Sequence, residues 1–190
     1  MILYTLLLLG IIEIAHFVMV LIWSPVFKQI KISETELIFQ IIEPRKYHSS
    51  IPILPGLDFG KIEPENTNQL LLAYPITLCS DITDVTDEYK NSYILAKRGY
   101  CTFLEKAINA EKLKANGVII FDSERRTELI HMGADHNDTK VNIGVFFMDG
   151  NSGYILHELM ANKSIHIVIR IPVNISNTDI PVTFSPHVLG

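Results

Sequence analysis

An α/β domain is the fold class this 190-residue sequence predicts, on three observations. Residues 92–99, "SYILAKRG", are an apolar strand stopped by a glycine. Residues 102–117 carry a helix start, an apolar stripe at helical spacing and a helix stop. "GVIIFDS" follows at once, a short and wholly apolar run of the kind buried on both faces of a sheet. Strand, helix, strand at this spacing is a parallel crossover. The pattern recurs more weakly: "VNIGVFFMD" (141–149) reads as a strand, "GNSGYILHELMAN" (150–162) as a turn and helix with Tyr154, Ile155, Leu159 and Met160 inward, and "SIHIVIRIPVNI" (164–175) as an alternating strand.

The chain opens on "MILYTLLLLGIIEIAHFVMVLIWSPVF", where Glu13 is the only charged side chain. The run could span a bilayer, with Glu13 and His16 at the costly mid-depth, and residues 2–12 also suit the apolar region of a secretory signal. The expectation is a cleaved signal over residues 1–24; an uncleaved anchor and a buried helix are the alternatives. Three acceptor sequons, beginning at Asn137, Asn162 and Asn174, support the same compartment, since chance supplies about one in a chain of this size. The expected localisation is secreted, through the secretory pathway. There an even pair of cysteines reads first as a bridge, whereas a reactive thiol needs a base and an electropositive pocket. The net charge is −5 with no basic block, which excludes the electrostatic footprint of a nucleic-acid binder.

Beyond the leader, "ETELIFQIIEP" (34–44) alternates, runs apolar and is closed by Pro44: a strand. Residues 45–67, polar and proline-bearing, read as a long surface loop with a short strand at Ile51 to Leu54. "NQLLLAYPI" (68–76) is the next strand, and 92–99 the one after. Thr102 and Glu105 form a capping-box pair. Phe103, Ala107, Ala110 and Leu113 make the stripe of the helix that starts there, with Lys106, Glu111, Lys112 and Lys114 mostly outside it. Asn116-Gly117 is the expected stop. Residues 177–190, with Pro181 and Pro186, read as an extended tail, leaving 25–176 as one domain.

The strand "YILAKRG", then Cys101-x-Phe103-x-x-Lys106, a helix, "GVIIFDS" and later "VNIGVFFMDGNSGYIL", resembles the protease-associated (PA) domain over roughly residues 34–176, and is most similar to that family's small stand-alone secreted members. The most specific piece is Arg98-Gly99-x-Cys101-x-Phe103-x-x-Lys106. "IPVNIS" resembles the glycosylated C-terminal segment of those members, which favours Asn174 among the three acceptors. The family's Gly-Ala pair after the first helix is Ala115-Asn116-Gly117 here, and the leader and the 45–67 loop do not match it. The resemblance implies a PA-domain-like β-sandwich or open barrel with two main flanking helices. It also implies a non-catalytic, cofactor-free module that binds protein, and a disulfide corresponding to Cys79 and Cys101.

Such a bridge closes a loop of about 23 residues and would stabilise the fold by roughly 3 kcal/mol. Against it, a helix N-terminus and Arg98 would both lower the pKa of a free Cys101, although no histidine lies close in sequence. Arg98 with that helix start is also a candidate anion site, for which Glu105 competes. "DGNSG" (149–153) lacks the Asp-Ser-Gly order of chymotrypsin-like proteases and reads as a helix cap at Asn151 or Ser152. His157-Glu158 begins an H-E-x-x-H pattern that fails at Ala161, so no zincin site is expected and no metal is assigned. His131, Asp135, His136 and Asp138 cluster in "HMGADHND", which reads as a solvated loop overlapping the Asn137 sequon. The expected partner is a protein, met by the 45–67 loop, the 123–140 loop or an exposed strand edge, with a membrane involved only if the leader stays. The opposing readings are a small secretory-pathway enzyme or redox protein using Cys101, and a membrane-anchored lumenal subunit.

Overall fold

In the computed structural model, residues 37–62, 64–80, 87–133, 139–163 and 165–174 are described. Seven strands, β1 (Leu37–Glu43), β2 (Ser49–Pro55), β3 (Asn66–Leu72), β4 (Tyr93–Lys97), β5 (Gly117–Phe121), β6 (Gly144–Met148) and β7 (Ile167–Asn174), close into a barrel. Helix α1 (Phe103–Lys112) joins β4 to β5, and α2 (Gly150–Lys163) joins β6 to β7. The order around the barrel is β1-β2-β6-β5-β4-β3-β7, with β7 returning to β1. The β3–β4, β4–β5 and β5–β6 ladders are parallel and the other four antiparallel. The crossover read from the sequence is therefore present, and the expected α/β fold with two main helices forms, its sheet closed into a barrel where a sandwich or open barrel was expected.

Alternation splits the core in two. Phe39, Ile41, Ile51, Ile53, Leu70, Tyr93, Leu95, Ile119, Phe121, Phe146, Met148 and Ile169, drawn from every strand, fill the barrel together with Leu156 and Leu159 of α2. The intervening residues of the parallel strands, Ile94, Ala96, Val118, Ile120, Val145 and Phe147, point outward and are covered by Leu104, Ala107, Ala110 and Leu113 around α1. Burial on both faces is why β5 and β6 are continuous apolar runs.

Several expectations are corrected. The short strand read at Ile51 to Leu54 within the 45–67 loop is longer, Ser49–Pro55: it pairs with β1 and β6, and Ser50, Ile51 and Ile53 are buried, which leaves 56–65 as the connection to β3. Pro52 and Pro55 hid its full extent, because proline signals the end of a ladder, yet here closure of the barrel recruits the whole segment. Each of the seven described strands has two neighbours, so none of them offers a free edge to a partner strand. Helix α1 ends at Lys112 and not at Asn116-Gly117; Lys114 takes the left-handed conformation at φ 60°. Gly117 serves packing, since a Cβ there would lie 2.3 Å from Tyr93 Cε1. Helix α2 starts without a turn, and its cap is Asp149, whose Oδ1 accepts the Ser152 N–H at 2.9 Å, in place of Asn151 or Ser152. Of the residues expected to face inward, Leu159 is buried and Tyr154, Ile155 and Met160 are half-buried against the same core, which Leu156 joins.

Among the described residues no helix is long and apolar enough to cross a membrane. The leader 1–24, the tail 177–190 and Asn137 lie outside the described residues. Asn162 falls in the last turn of α2, and Asn174 is the last residue of β7.

Candidate functional site

Because β3 to β6 run parallel, their carboxyl ends emerge at one end of the barrel, and the loops after Leu72, Lys97, Phe121 and Met148 gather there. Nearly all of the predicted motif falls within them. Gly99 makes its turn at φ +106°, a conformation that suits glycine, and its carbonyl faces Lys106 Nζ at 2.9 Å. Cys101 then precedes α1 and bonds to Cys79, with Cα atoms 5.7 Å apart. The capping box is formed as read: Thr102 Oγ1 accepts the Glu105 N–H at 3.1 Å, and the Thr102 N–H donates to Glu105 Oε2 at 2.7 Å.

Lys106 is the largest departure. The spacing placed it on the outside of the helix, yet it is 0% exposed. Side chains in a helix lean toward its N-terminus, and here that direction leads under the bridge. Nζ donates to Thr77 O, to Gly99 O, to Cys79 Sγ at 3.1 Å and to Cys101 Sγ at 3.5 Å. One turn on, Asn109 Nδ2 donates to Leu78 O at 3.0 Å and Ser80 O at 3.3 Å. The 77–80 segment is thus fixed by a covalent bond and two buried donors.

Burial pulls the Lys106 ammonium down to about 8, with the Glu105 carboxylate opposing the shift. A base with a lowered pKa in the folded chain binds fewer protons there than when unfolded, so its penalty is largest below pH 8 and fades as pH rises toward 10.5. Denaturation of the protein and of Lys106→Met from pH 7 to 10 should therefore move in favour of the native lysine by about 2 kcal/mol. A pH-independent difference would refute this.

Two clefts flank the braced segment. One, of about 240 Å³, is lined by Arg98, Gly99, Cys101, Thr102, Phe103 and Gly133. Its guanidinium pairs with Asp122 Oδ1 at 3.2 Å and lies 5.7 Å from the Phe103 ring centre. The other is apolar, running along Leu72 to Ile76 and bounded by Glu88, Tyr89 and His157. Tyr89 donates to Leu72 O at 3.1 Å; burial, then Glu88, pushes its phenol pKa up. Beside the clefts the Tyr154 ring sits between Lys97 at 5.0 Å and Arg125 at 4.9 Å, while its hydroxyl donates to Ser123 O at 2.6 Å. Two aromatics stand out into solvent from these loops: Tyr100, 95% exposed, and Tyr74, 89% exposed.

Sequence reasoning missed Tyr74, Tyr100, Asp122 and Asn109; isolated residues in turns and on helix faces carry no pattern. Ser152 donates its hydroxyl to Asp149, as a cap does, and His157 packs its ring 6.5 Å from Phe121 on the helix face. Among the described residues no three His, Cys, Asp or Glu side chains converge as a metal set, and Asp135, His136 and Asp138 lie outside them.

The PA domain family matches residues 67–156, which run from β3 through both crossover starts and contain the loops after Leu72, Lys97, Phe121 and Met148. The chain carries a PA domain. A PRADC1-like protein of Drosophila melanogaster is 29% identical over 153 residues, covering 75% of this chain and 76% of that one. Signal peptide peptidase-like 5 of Oryza sativa subsp. japonica is 31% identical over 114 residues, 56% of this chain but 20% of its own length. Among solved structures, the zinc aminopeptidase BSAP from Bacillus subtilis superposes with a TM-score of 0.54 at 22% identity, covering 71% of this chain and 29% of the enzyme. The PA domain is thus similar both to a chain of comparable length and to segments of much longer proteins.

Proposed function

We propose that this chain is a secreted, disulfide-bonded glycoprotein whose stand-alone PA domain catalyses nothing and binds another protein through the tyrosine-bearing end of its barrel. The observation that carries the reading is the pairing of exposure with rigidity. Tyr100 and Tyr74 project almost wholly into solvent from loops fixed by the bridge, Lys106 and Asn109. Exposed aromatics on a pre-ordered surface bind at low entropic cost, and tyrosine is among the commonest binding anchors. The match to the fly relative, which takes in 76% of that protein, supports the PA domain as the part that acts. The apolar leader and the sequons at Asn137, Asn162 and Asn174 support secretion and glycosylation. The length of that leader also favours a second reading, a membrane-anchored lumenal subunit with the same binding surface.

Expression in a secreting cell line tests both. The first reading expects the protein in the medium, an N-terminus beyond the leader and a mass loss with an N-glycosidase; retention in the membrane fraction selects the second. Partners cross-linked in the medium are expected to bind a Tyr74→Ala/Tyr100→Ala variant at least tenfold more weakly, since each aromatic anchor contributes about 1–2 kcal/mol. Equal affinity would remove this face as the binding surface.

A further inference from the structure

We propose that the Cys79–Cys101 bridge is a thiol–disulfide exchange site. The thiolate of a dithiol reductant attacks Cys101 Sγ in the Arg98 cleft, and Cys79 Sγ leaves as a thiolate held by the Lys106 ammonium. Three observations converge on this. Cys101 lines the open cleft, together with Arg98, Gly99, Thr102, Phe103 and Gly133, whereas Cys79 is not part of that lining. Arg98, held by Asp122 and half exposed, places a cation in the lining of that same cleft, where an incoming thiolate is favoured. Lys106 Nζ lies behind the bridge, fully buried and nearer to Cys79 Sγ, at 3.1 Å, than to Cys101 Sγ, at 3.5 Å.

The character of the lysine decides between a brace and a functional group. Among the described residues its partners are two carbonyl oxygens and the two sulfurs, while the adjacent Glu105 carboxylate is turned to the Thr102 N–H. A buried cation is costly, and it gains most when it faces an anion. Opening the bridge creates one at 3.1 Å, and a cation beside a thiol lowers its pKa and makes it a better leaving group.

The reductant's sulfur forms a bond to Cys101 Sγ, the Cys101–Cys79 bond breaks, and its electron pair stays on Cys79 Sγ. The reductant's second thiol loses its proton to water and attacks its own sulfur in the mixed disulfide. Cys101 Sγ then leaves and is protonated by solvent. The cystine gains two electrons, and the dithiol is oxidised to a cyclic disulfide. Exchange would remove the covalent tie of the 77–80 segment, leaving it the Lys106 and Asn109 hydrogen bonds alone, and so loosen the end of the barrel that carries Tyr74 and Tyr100.

Glutathione, a monothiol, lacks the second thiol that resolves the mixed disulfide within one reductant molecule, so the adduct persists longer and it serves as the probe. After incubation with it and quenching with N-ethylmaleimide, peptide mapping of the full-length protein is expected to find glutathione on Cys101 and maleimide on Cys79. Glutathione mainly on Cys79, an even split or no adduct would overturn the proposal. Reduction by dithiothreitol, followed by alkylation and intact mass, is expected to be about tenfold slower in Lys106→Met. A purely structural lysine predicts the opposite sign, since loosening the packing exposes the bridge and speeds its reduction. An unchanged or faster rate therefore also overturns it, and if that variant fails to fold, the adduct position in the native protein still decides.

Discussion

The double substitution Cys79→Ser/Cys101→Ser is expected to lower the stability of the PA domain by about 3 kcal/mol, read as the loss in denaturant midpoint at unchanged slope. The two residues are 22 apart, and reopening that loop restores the corresponding entropy to the unfolded chain. A second cost adds to it, because the buried Lys106 ammonium loses the polarisable sulfurs packed at 3.1 and 3.5 Å. Against a typical total of 5–15 kcal/mol the domain still folds, but its margin narrows sharply. The effect should be local as well: amide exchange is expected to quicken at 77–80 and 99–101 and to stay slow in β5 and β6, which the bridge does not touch. A variant as stable as the native chain would show that hydrogen bonds from Lys106 and Asn109 alone hold the segment.

Gly153→Ala is expected to be nearly as damaging, at about 2–3 kcal/mol, although it replaces a glycine inside a helix. On helix propensity alone alanine would add about 1 kcal/mol of stability. Packing wins because α2 lies directly on β5 there: the new Cβ would sit 2.1 Å from Phe121 Cβ and 2.2 Å from its Cγ, and Phe121 is buried in the barrel. Those atoms are next to the backbone and cannot swing aside, so the helix itself must lift, and overpacking of this kind costs about 1–3 kcal/mol or more. Lifting α2 also strains its first turn, where Gly150 already packs so closely that a Cβ would meet Glu124 O at 1.7 Å. A denaturation midpoint equal to or above that of the native chain would show that α2 has room to move.

The elements that were legible are those whose signal is local. The capping box at Thr102 and Glu105 satisfies its own backbone donors within four residues, and the wholly apolar run at 117–121 can be accommodated only between two covered faces. Strand β2 was half legible, since Pro52 and Pro55 break the pattern a ladder leaves in the sequence. Lys106 was legible as part of a motif and illegible as a buried group. Nothing in a helical wheel tells that the 77–80 loop, 27 residues upstream at Cys79, folds back over that side of α1. Tyr74 and Tyr100 gave no signal at all, because a turn tyrosine is as compatible with burial as with exposure.

Local pattern therefore determined the parallel crossover around α1, the place of its start and the Arg98 to Lys106 motif. It could do so because short-range hydrogen bonding and periodic burial act between neighbours along the chain. Closure of the barrel through β2 and β7, the burial of the lysine beneath the bridge and the exposure of the two tyrosines were decided by tertiary structure alone. Each depends on which distant segments meet, and that is set when seven strands share one interior.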